Sequence, residues 1–484
     1  MRADTIFRRL TALGLSCLLL CGALPLPYAL AAPEDGVTAD TPAVDTGTPD
    51  AADTAGTVMS SPLEDPKIEA TAAMLINPDT NMVLYEKNAD EKRYPASITK
   101  VMTALLTLEQ VSDLNETVTC TEEDWAEITA DSSNADIKVG EQVKVIDLLY
   151  ALMLPSANEA AYMLARHVGG TSEAFVDMMN TRAAELGCTG THFSNPCGLH
   201  EDDHYSTARD LLKITQAAMQ DETFVTIANT AQKTISATNM HAERKLYTTN
   251  QLIFSSYQPW YYAYCKGIKT GHTSQAGNCL VSYAEKGKAR LFAIVLGCED
   301  APDSSSVAKS FTETKRLFEW GYENFVSKTL AKKGDEIMRI DVRLSTDTDE
   351  LILTAKTDLV ASIPRNLAVE DLDTVSTTPA SKDAPIKAGE VIGSQTYSKD
   401  GVEYGTVELI ALNDVELSLV LYYADKLENF FKSTAFKIVL AVLAVFVVLY
   451  ILLNLFLGSV RRRNQRRNMR SRYENTNYQR RRRR

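Results

Sequence analysis

Residues 438–460 are 23 consecutive positions without a charged side chain, and twelve arginines follow within residues 461–484. A run of that length spans about 30 Å of hydrocarbon as a helix. In lipid a lone segment must be helical, because each backbone N–H and C=O has to be satisfied within it. The core helix of a soluble protein can share this composition, but it does not run into a block of like charge. The tail carries twelve Arg against one Glu, about +11. The excess of positive charge on the cytoplasmic side of spans places this tail in the cytoplasm and everything before residue 438 outside. An arginine block also suits nucleic acid. Directly behind a span, contact with anionic lipid headgroups is the simpler expectation, so a membrane partner is expected and nucleic acid is not. Removing the tail from the formal charge of −13 leaves about −24, an acidic exterior part.

The N-terminus carries the complementary signal. Arg2, Arg8 and Arg9 precede an apolar run from Leu10 to Leu26, and Ala29-Leu30-Ala31 supplies small residues for cleavage. Residues 1–32 are therefore expected to be a secretory signal peptide. Residues 33–66, rich in Ala, Thr, Asp and Pro and poor in large apolar side chains, read as a disordered acidic linker. Six cysteines remain beyond the signal: Cys120, Cys188, Cys197, Cys265, Cys279 and Cys298. Export permits disulfides, but whether Cys188–Cys197 or Cys265–Cys279 are bridged or free is left open by the spacing.

Between these ends the chain has room for two domains. Apolar runs at Ala70–Ile76 and Met82–Tyr85, separated by Asn77-Pro78-Asp79-Thr80-Asn81, read as a hairpin. Helical patterns follow at 96–109, 145–154, 158–168, 173–186 and 207–219, several ending at glycine. Three β-rich runs, at 261–270, 279–284 and 290–296, precede a closing helix at 308–325. Strands at both ends with helices between them imply one sheet assembled from distant segments, with a helical subdomain inserted, over residues 67–326. Residues 328–424 alternate in short strands, Leu417–Leu421 among them, and read as a separate small β domain. Residues 427–437 form an amphipathic approach to the span.

Two stretches compete for the chemistry. His200-Glu201-Asp202-Asp203-His204 contains H-E-x-x-H, by which zinc proteases hold their metal from one helix face. Here the motif follows Pro196 and Gly198 and packs three carboxylates between its histidines, so it reads as a loop without a third ligand. No metal and no cofactor are expected. The other centre is Ser97-Ile98-Thr99-Lys100. Residues three apart share a helix face, so the Lys100 amine can take the Ser97 proton if burial or a neighbouring cation keeps it neutral. The pattern is common, and Ser306-Val307-Ala308-Lys309 repeats it. Ser156-Ala157-Asn158 opens a helix after Pro155, where helix capping is the ordinary role of such residues, and Ser132-Ser133-Asn134 fits the same pattern. Lys269-Thr270-Gly271-His272 ends a β-rich run, where glycine lets a substrate backbone approach an edge and Lys and Thr offer a cation and a hydroxyl to a carboxylate.

The force lies in the set: S-x-x-K, S-x-N and K-T-G occur in this order at a helix start, an interhelical turn and a strand end. Together with Ala73-Met74-Leu75-Ile76, Leu84-Tyr85-Glu86-Lys87-Asn88-Ala89, Pro95-Ala96 and His272-Thr273, they resemble the low-molecular-mass penicillin-binding proteins, the serine-type D-alanyl-D-alanine carboxypeptidases. The resemblance spans about residues 66–326, and the β domain is similar to that family's C-terminal module. It implies an α+β penicillin-binding/β-lactamase-like transpeptidase fold, an antiparallel sheet flanked by helices with a helical subdomain, then the small all-β domain and a transmembrane helix. It also implies that Ser97 is the acylated nucleophile, Lys100 its general base, and Ser156 and Asn158 assistants in proton transfer and substrate-amide binding. Lys269, Thr270, Gly271 and His272 would line the carboxylate pocket. Backbone N–H groups of Ser97 and of a residue just past the K-T-G strand, Thr273, would form the oxyanion hole. The segment Asn195–Leu199 with Tyr205–Asp210 matches a metal-free part of these enzymes, which makes His200 and His204 surface or loop-packing residues and Arg209 an ion-pair anchor for that loop.

The expected activity is removal of the terminal D-alanine from peptidoglycan stem peptides by a membrane-anchored, penicillin-sensitive enzyme, with β-lactams as covalent inhibitors. A β-lactamase shares the three triplets, but no E-x-x-x-N loop lies between the second and third. An endopeptidase would use the same residues, and a silent wall-binding protein would not need them.

Overall fold

The computed structural model describes residues 63–129, 132–256, 260–299 and 306–481; the expected signal peptide and all but the end of the linker lie outside them. β1 (Ala72–Asn77) and β2 (Met82–Lys87) form the expected hairpin, in which Asn77 Oδ1 accepts from the Asp79 N–H (2.8 Å) and closes the turn. A single 3₁₀ turn, Ala96–Thr99, then leads into α1 (Lys100–Gln110). Sequence periodicity implied one helix from residue 96. The structure splits it, so that Ser97 lies on the tight turn and Lys100 opens the α-helix. Eight consecutive residues of α1, Lys100 to Thr107, are buried, which makes it a central helix covered on all faces.

A short hairpin of β3 (Thr117–Thr119) and β4 (Gln142–Lys144) precedes α2 (Val145–Met153), α3 (Asn158–Gly169) and α4 (Ser172–Glu185). α5 (Ala208–Ala218) and α6 (Glu222–Ala228) follow, then the hairpin β5 (Gln232–Ile235) and β6 (Arg244–Tyr247). Hydroxyl and carboxylate caps set the starts: Thr171 accepts from the Ala174 N–H, Thr207 from Asp210 and Asp221 from Phe224. β7 (Cys265–Thr273), β8 (Gly277–Lys286) and β9 (Ala289–Cys298) return to the first hairpin, and α7 (Ser306–Asn324) covers them.

The five strands order as β2-β1-β9-β8-β7, antiparallel throughout. The first and last strands of the segment are therefore neighbours, Met74 facing Ile294, and the helices are an insertion between them. Buried runs on both faces of β8 and β9 explain why these two read as continuous apolar segments. β7 is left at the edge, facing the helical part.

β10 (Phe325–Ala331) begins directly after α7 and pairs with β13 (Leu359–Pro364). β11 (Glu336–Arg343), β12 (Glu350–Ala355), β14 (Asp373–Thr377), β15 (Ser381–Asp383), β16 (Val391–Lys399) and β17 (Val402–Ala411) form a six-stranded sheet in the order β14-β16-β17-β12-β11-β15. A buried contact joins the two parts: Asn77 Nδ2 donates to Ser362 Oγ on β13 (2.6 Å). α8 (Leu419–Lys432) and α9 (Thr434–Arg481) end the described chain. The expected strand at 417–421 is instead the start of α8, because its apolar residues continue through Tyr423, Leu427, Phe430 and Phe431 at helical spacing. Within α9, an 18-residue window in the segment Thr434–Arg470 reaches a mean hydropathy of 3.0, so this helix is long and apolar enough to cross a membrane.

Candidate active site

Three elements converge on one cleft of about 600 Å³ between β7 and the helical part. Its lining includes Ser97, Ser156, Asn158, Thr270, Gly271 and His272. Lys100 and Lys269 are fully buried behind it, at 0% and 1% exposure.

Lys100 is the hub. Its Nζ lies 2.9 Å from Ser97 Oγ, 2.7 Å from Asn158 Oδ1 and 2.7 Å from the Cys197 carbonyl oxygen. Burial pushes its pKa down to about 8. The neighbouring Cys197 is a poor countercharge, since burial pushes its thiol up and keeps it neutral. Donor arithmetic then fixes the proton positions. A neutral amine has two N–H donors and one lone pair; Asn158 Oδ1 and the Cys197 carbonyl can only accept. The lone pair is left for the Ser97 hydroxyl, the arrangement a general base requires.

Strain surrounds this hub. Ala96 and Ser156 both hold positive φ, 47° and 65°, a region non-glycine residues seldom adopt and that clusters at functional sites. Among the described residues the buried Ser156 hydroxyl has no hydrogen-bond partner, an expensive state that a substrate group would relieve. Gly271 is required by space, since a Cβ there would meet the Pro95 carbonyl oxygen at 2.8 Å and the Ser97 nitrogen at 3.1 Å. The edge of β7 thus passes directly over the nucleophile's backbone N–H. Lys269 is held well below the ordinary lysine range by burial and then by Lys100. Thr270 Oγ1 lies 2.5 Å from Thr249 Oγ1, a neighbour that periodicity did not single out.

Thr273, expected just past the strand, is instead the last residue of β7, and its hydroxyl accepts from the Ala276 N–H (3.0 Å) to form the hairpin turn. The two decoy motifs part company. Ser132 and Ser133 line the same cleft, and the Ser133 carbonyl accepts from the Asn158 N–H (2.9 Å), so the rival S-x-N is an opposite wall. Lys309 of the rival S-x-x-K pairs with Glu69 (3.4 Å).

The loop at 194–204 is a brace and not a zinc helix. Cys197 supplies its carbonyl to Lys100 and Thr103 Oγ1 donates to the Pro196 carbonyl (2.5 Å). Gly198, at φ +84°, lies so close to Ala96 that a Cβ would collide with its carbonyl. His204 is buried against Thr99, while His200 packs edge-on against Tyr94 (4.6 Å between ring centres). Among the described residues no cluster of three or more His, Cys, Asp or Glu could hold a metal. Arg209, just past this loop, forms ion pairs with Glu86 on β2 (2.8 Å) and Asp90 after it (2.7 Å), which tie the start of α5 to the first hairpin. All six cysteines of the described residues are free and buried. The Cys197 carbonyl was invisible to sequence reasoning, since any residue type carries one; Asn195-Pro196-Cys197-Gly198 shows only as a turn.

Comparison with known proteins completes the picture. The family model for D-alanyl-D-alanine carboxypeptidases matches residues 58–300, and that for the C-terminal domain of penicillin-binding protein 5 matches residues 325–417. The D-alanyl-D-alanine carboxypeptidase DacA of Escherichia coli K12 is 31% identical over 359 residues, covering 72% of this chain and 84% of that protein. DacF of Bacillus subtilis, described by the same activity, is 28% identical over 360 residues, covering 72% and 86%. The crystal structure of penicillin-binding protein 5 from Haemophilus influenzae superposes with a TM-score of 0.62 at 30% identity, covering 73% of this chain and 99% of that one.

Proposed function

This chain belongs to the D-alanyl-D-alanine carboxypeptidase family, and from that premise we propose how its residues remove the terminal D-alanine of peptidoglycan stem peptides. The protein is a serine hydrolase acting through an acyl-enzyme, and it is penicillin-binding. Ser97 Oγ attacks the carbonyl of the penultimate D-alanine while its proton passes to the lone pair of Lys100. The tetrahedral oxyanion is met by the Ser97 N–H and a backbone N–H of the adjoining β7 edge. Lys100 returns the proton to the departing amine with the unpartnered Ser156 hydroxyl as relay, and the bond to the terminal D-alanine breaks. Water then attacks the acyl-enzyme with Lys100 again taking the proton, and that proton returns to Ser97 Oγ as the ester bond breaks and the shortened peptide leaves.

Asn158 orients Lys100 and the substrate amide, and Lys269 with Thr270, Gly271 and His272 forms the carboxylate pocket. Burial disfavours the charged form of Lys269 and a carboxylate arriving there favours it, so binding and charging of that lysine are coupled. The observation that carries this reading is the three-contact geometry of Lys100. Among the described residues lining the cleft there is no Asp or Glu, and the Glu159 carboxylate behind it accepts from the Ala135 N–H (2.6 Å). Among the described residues none therefore offers the cleft a carboxylate to activate a hydrolytic water, which supports a penicillin-trapped peptidase over a β-lactamase.

The long apolar helix anchors the protein in the membrane. We place residues 67–326, the catalytic domain, and 328–424, the β domain, outside the cell. Residues 438–460 form the span, and the arginine tail contacts anionic lipid on the cytoplasmic side. Trimming removes the donor D-alanine used in cross-linking and limits that reaction. Release of D-alanine from a D-Ala-D-Ala pentapeptide, lost in Ser97→Ala, tests the assignment; release that persists in that variant overturns it.

A further inference from the structure

The second histidine of the H-E-x-x-H stretch has no part in acyl transfer, yet it is 2% exposed and hydrogen-bonded through both ring nitrogens. The Ser194 backbone N–H donates to Nδ1 (3.1 Å), so Nδ1 carries the lone pair. A neutral ring then has its proton on Nε2, which lies 2.8 Å from Thr99 Oγ1 and donates to it. Burial favours this neutral ring by pushing its pKa down to about 4.

Thr99 is the residue before the general base. The same loop supplies the Cys197 carbonyl to Lys100 Nζ (2.7 Å), and Gly198 is pressed against the Ala96 carbonyl. The two ends of segment 197–204 therefore grip the consecutive residues Thr99 and Lys100, where the nucleophile turn runs into α1. A loop displaced along that turn moves the Cys197 carbonyl, and with it the direction in which the Lys100 lone pair points.

We propose that His204 is a positioning residue: its Nε2–H bond to Thr99 Oγ1 fixes the register of the 194–204 loop on the nucleophile turn and, through the Cys197 carbonyl, aims the Lys100 lone pair at Ser97. The inference deepens the acyl-enzyme reading and rests on it.

Two substitutions separate this role from simple loop packing. His204→Asn keeps an acceptor where Nδ1 stood, for the Ser194 N–H, and loses the donor to Thr99. His204→Gln keeps a donor near Nε2 and loses the acceptor. Thr99→Val, close to isosteric, removes the acceptor from the other side. The full-length proteins in detergent are compared by acylation rate with a fluorescent penicillin, by kcat and KM on a D-Ala-D-Ala peptide, and by melting temperature. His204→Asn and Thr99→Val should acylate about ten- to hundredfold more slowly, the scale on which small misplacements of a catalytic group act. KM should stay within about twofold while kcat falls, and His204→Gln should lie within about threefold of the wild type. Wild-type acylation rates in Thr99→Val overturn the inference, as does a His204→Gln variant as slow as His204→Asn. Should His204→Asn not fold, Thr99→Val decides. Absence of acylation in the wild-type chain overturns the acyl-enzyme reading itself, an outcome distinct from normal acylation in the variants.

Discussion

Replacing Asn158 by Asp changes one atom type beside Lys100 and gives a quantitative test of the general base. Asn158 Oδ1 accepts from Lys100 Nζ at 2.7 Å, and Asp places a carboxylate oxygen there at nearly equal volume. With Lys100 at about 8, about a tenth of it is neutral at pH 7 and about a hundredth at pH 6. Acylation by the wild type should therefore rise about tenfold per pH unit below 7 and level off above 9. In the variant, attraction between unit charges at 2.7 Å amounts to about 6 kcal/mol gross at an effective dielectric constant of 20. Much of that is spent in burying the carboxylate, and a net rise of about one to three pKa units remains. The sign is unambiguous: the added anion favours the charged amine, so less base is present at any pH below the new midpoint. Acylation at pH 7 should fall about tenfold or more and recover at higher pH. The assay is the second-order rate of labelling by a fluorescent penicillin from pH 6 to 10. A wild-type rate that is flat over this range refutes the reasoning. So does a variant whose loss is the same at every pH, for the amide would then serve substrate binding and not the lysine.

Gly198→Ala should cost about 3 kcal/mol or displace the brace, because its Cβ would land on the Ala96 carbonyl in a left-handed backbone conformation; a fall in melting temperature with slowed acylation is the expected readout. Arg209→Ala, which severs the links to Glu86 and Asp90, should cost about 1 kcal/mol in denaturant unfolding at pH 7. Arg209 lowers the pKa of Asp90, so the stability it contributes is present above the unfolded carboxylate value and lost as pH falls; the difference between the proteins should shrink below about pH 4. Chelation by EDTA should leave D-alanine release unchanged, because both ring nitrogens of His204 are engaged by Ser194 and Thr99; inhibition by EDTA would restore the zinc reading.

The three triplets were legible because each combines residue type with a local setting that sequence can express: Pro95 before a helix start, Pro155 before a turn, glycine at a strand edge. The closing of the sheet was legible from the β-rich runs at both ends, as Met74 opposite Ile294 shows. The missing parts depend on backbone and on long-range contact. Nothing in the residue type of Cys197 announces that its carbonyl orients a lysine 97 positions away. Thr249 reaches Thr270 only through the fold. The helical start of Leu419 was hidden because a short apolar run fits strand and helix alike until its continuation is counted. An ion pair from Arg209 was expected, but not its partners, which lie 119 and 123 positions away.

The central claim, a Ser97 acyl-enzyme primed by Lys100, is tested most directly by intact mass of the full-length protein after mixing with benzylpenicillin, followed by peptide mapping. The account predicts a persistent penicilloyl adduct on the peptide holding Ser97, absent from Ser97→Ala. Rapid penicillin hydrolysis without a lasting adduct, or an adduct on any other residue, would contradict it.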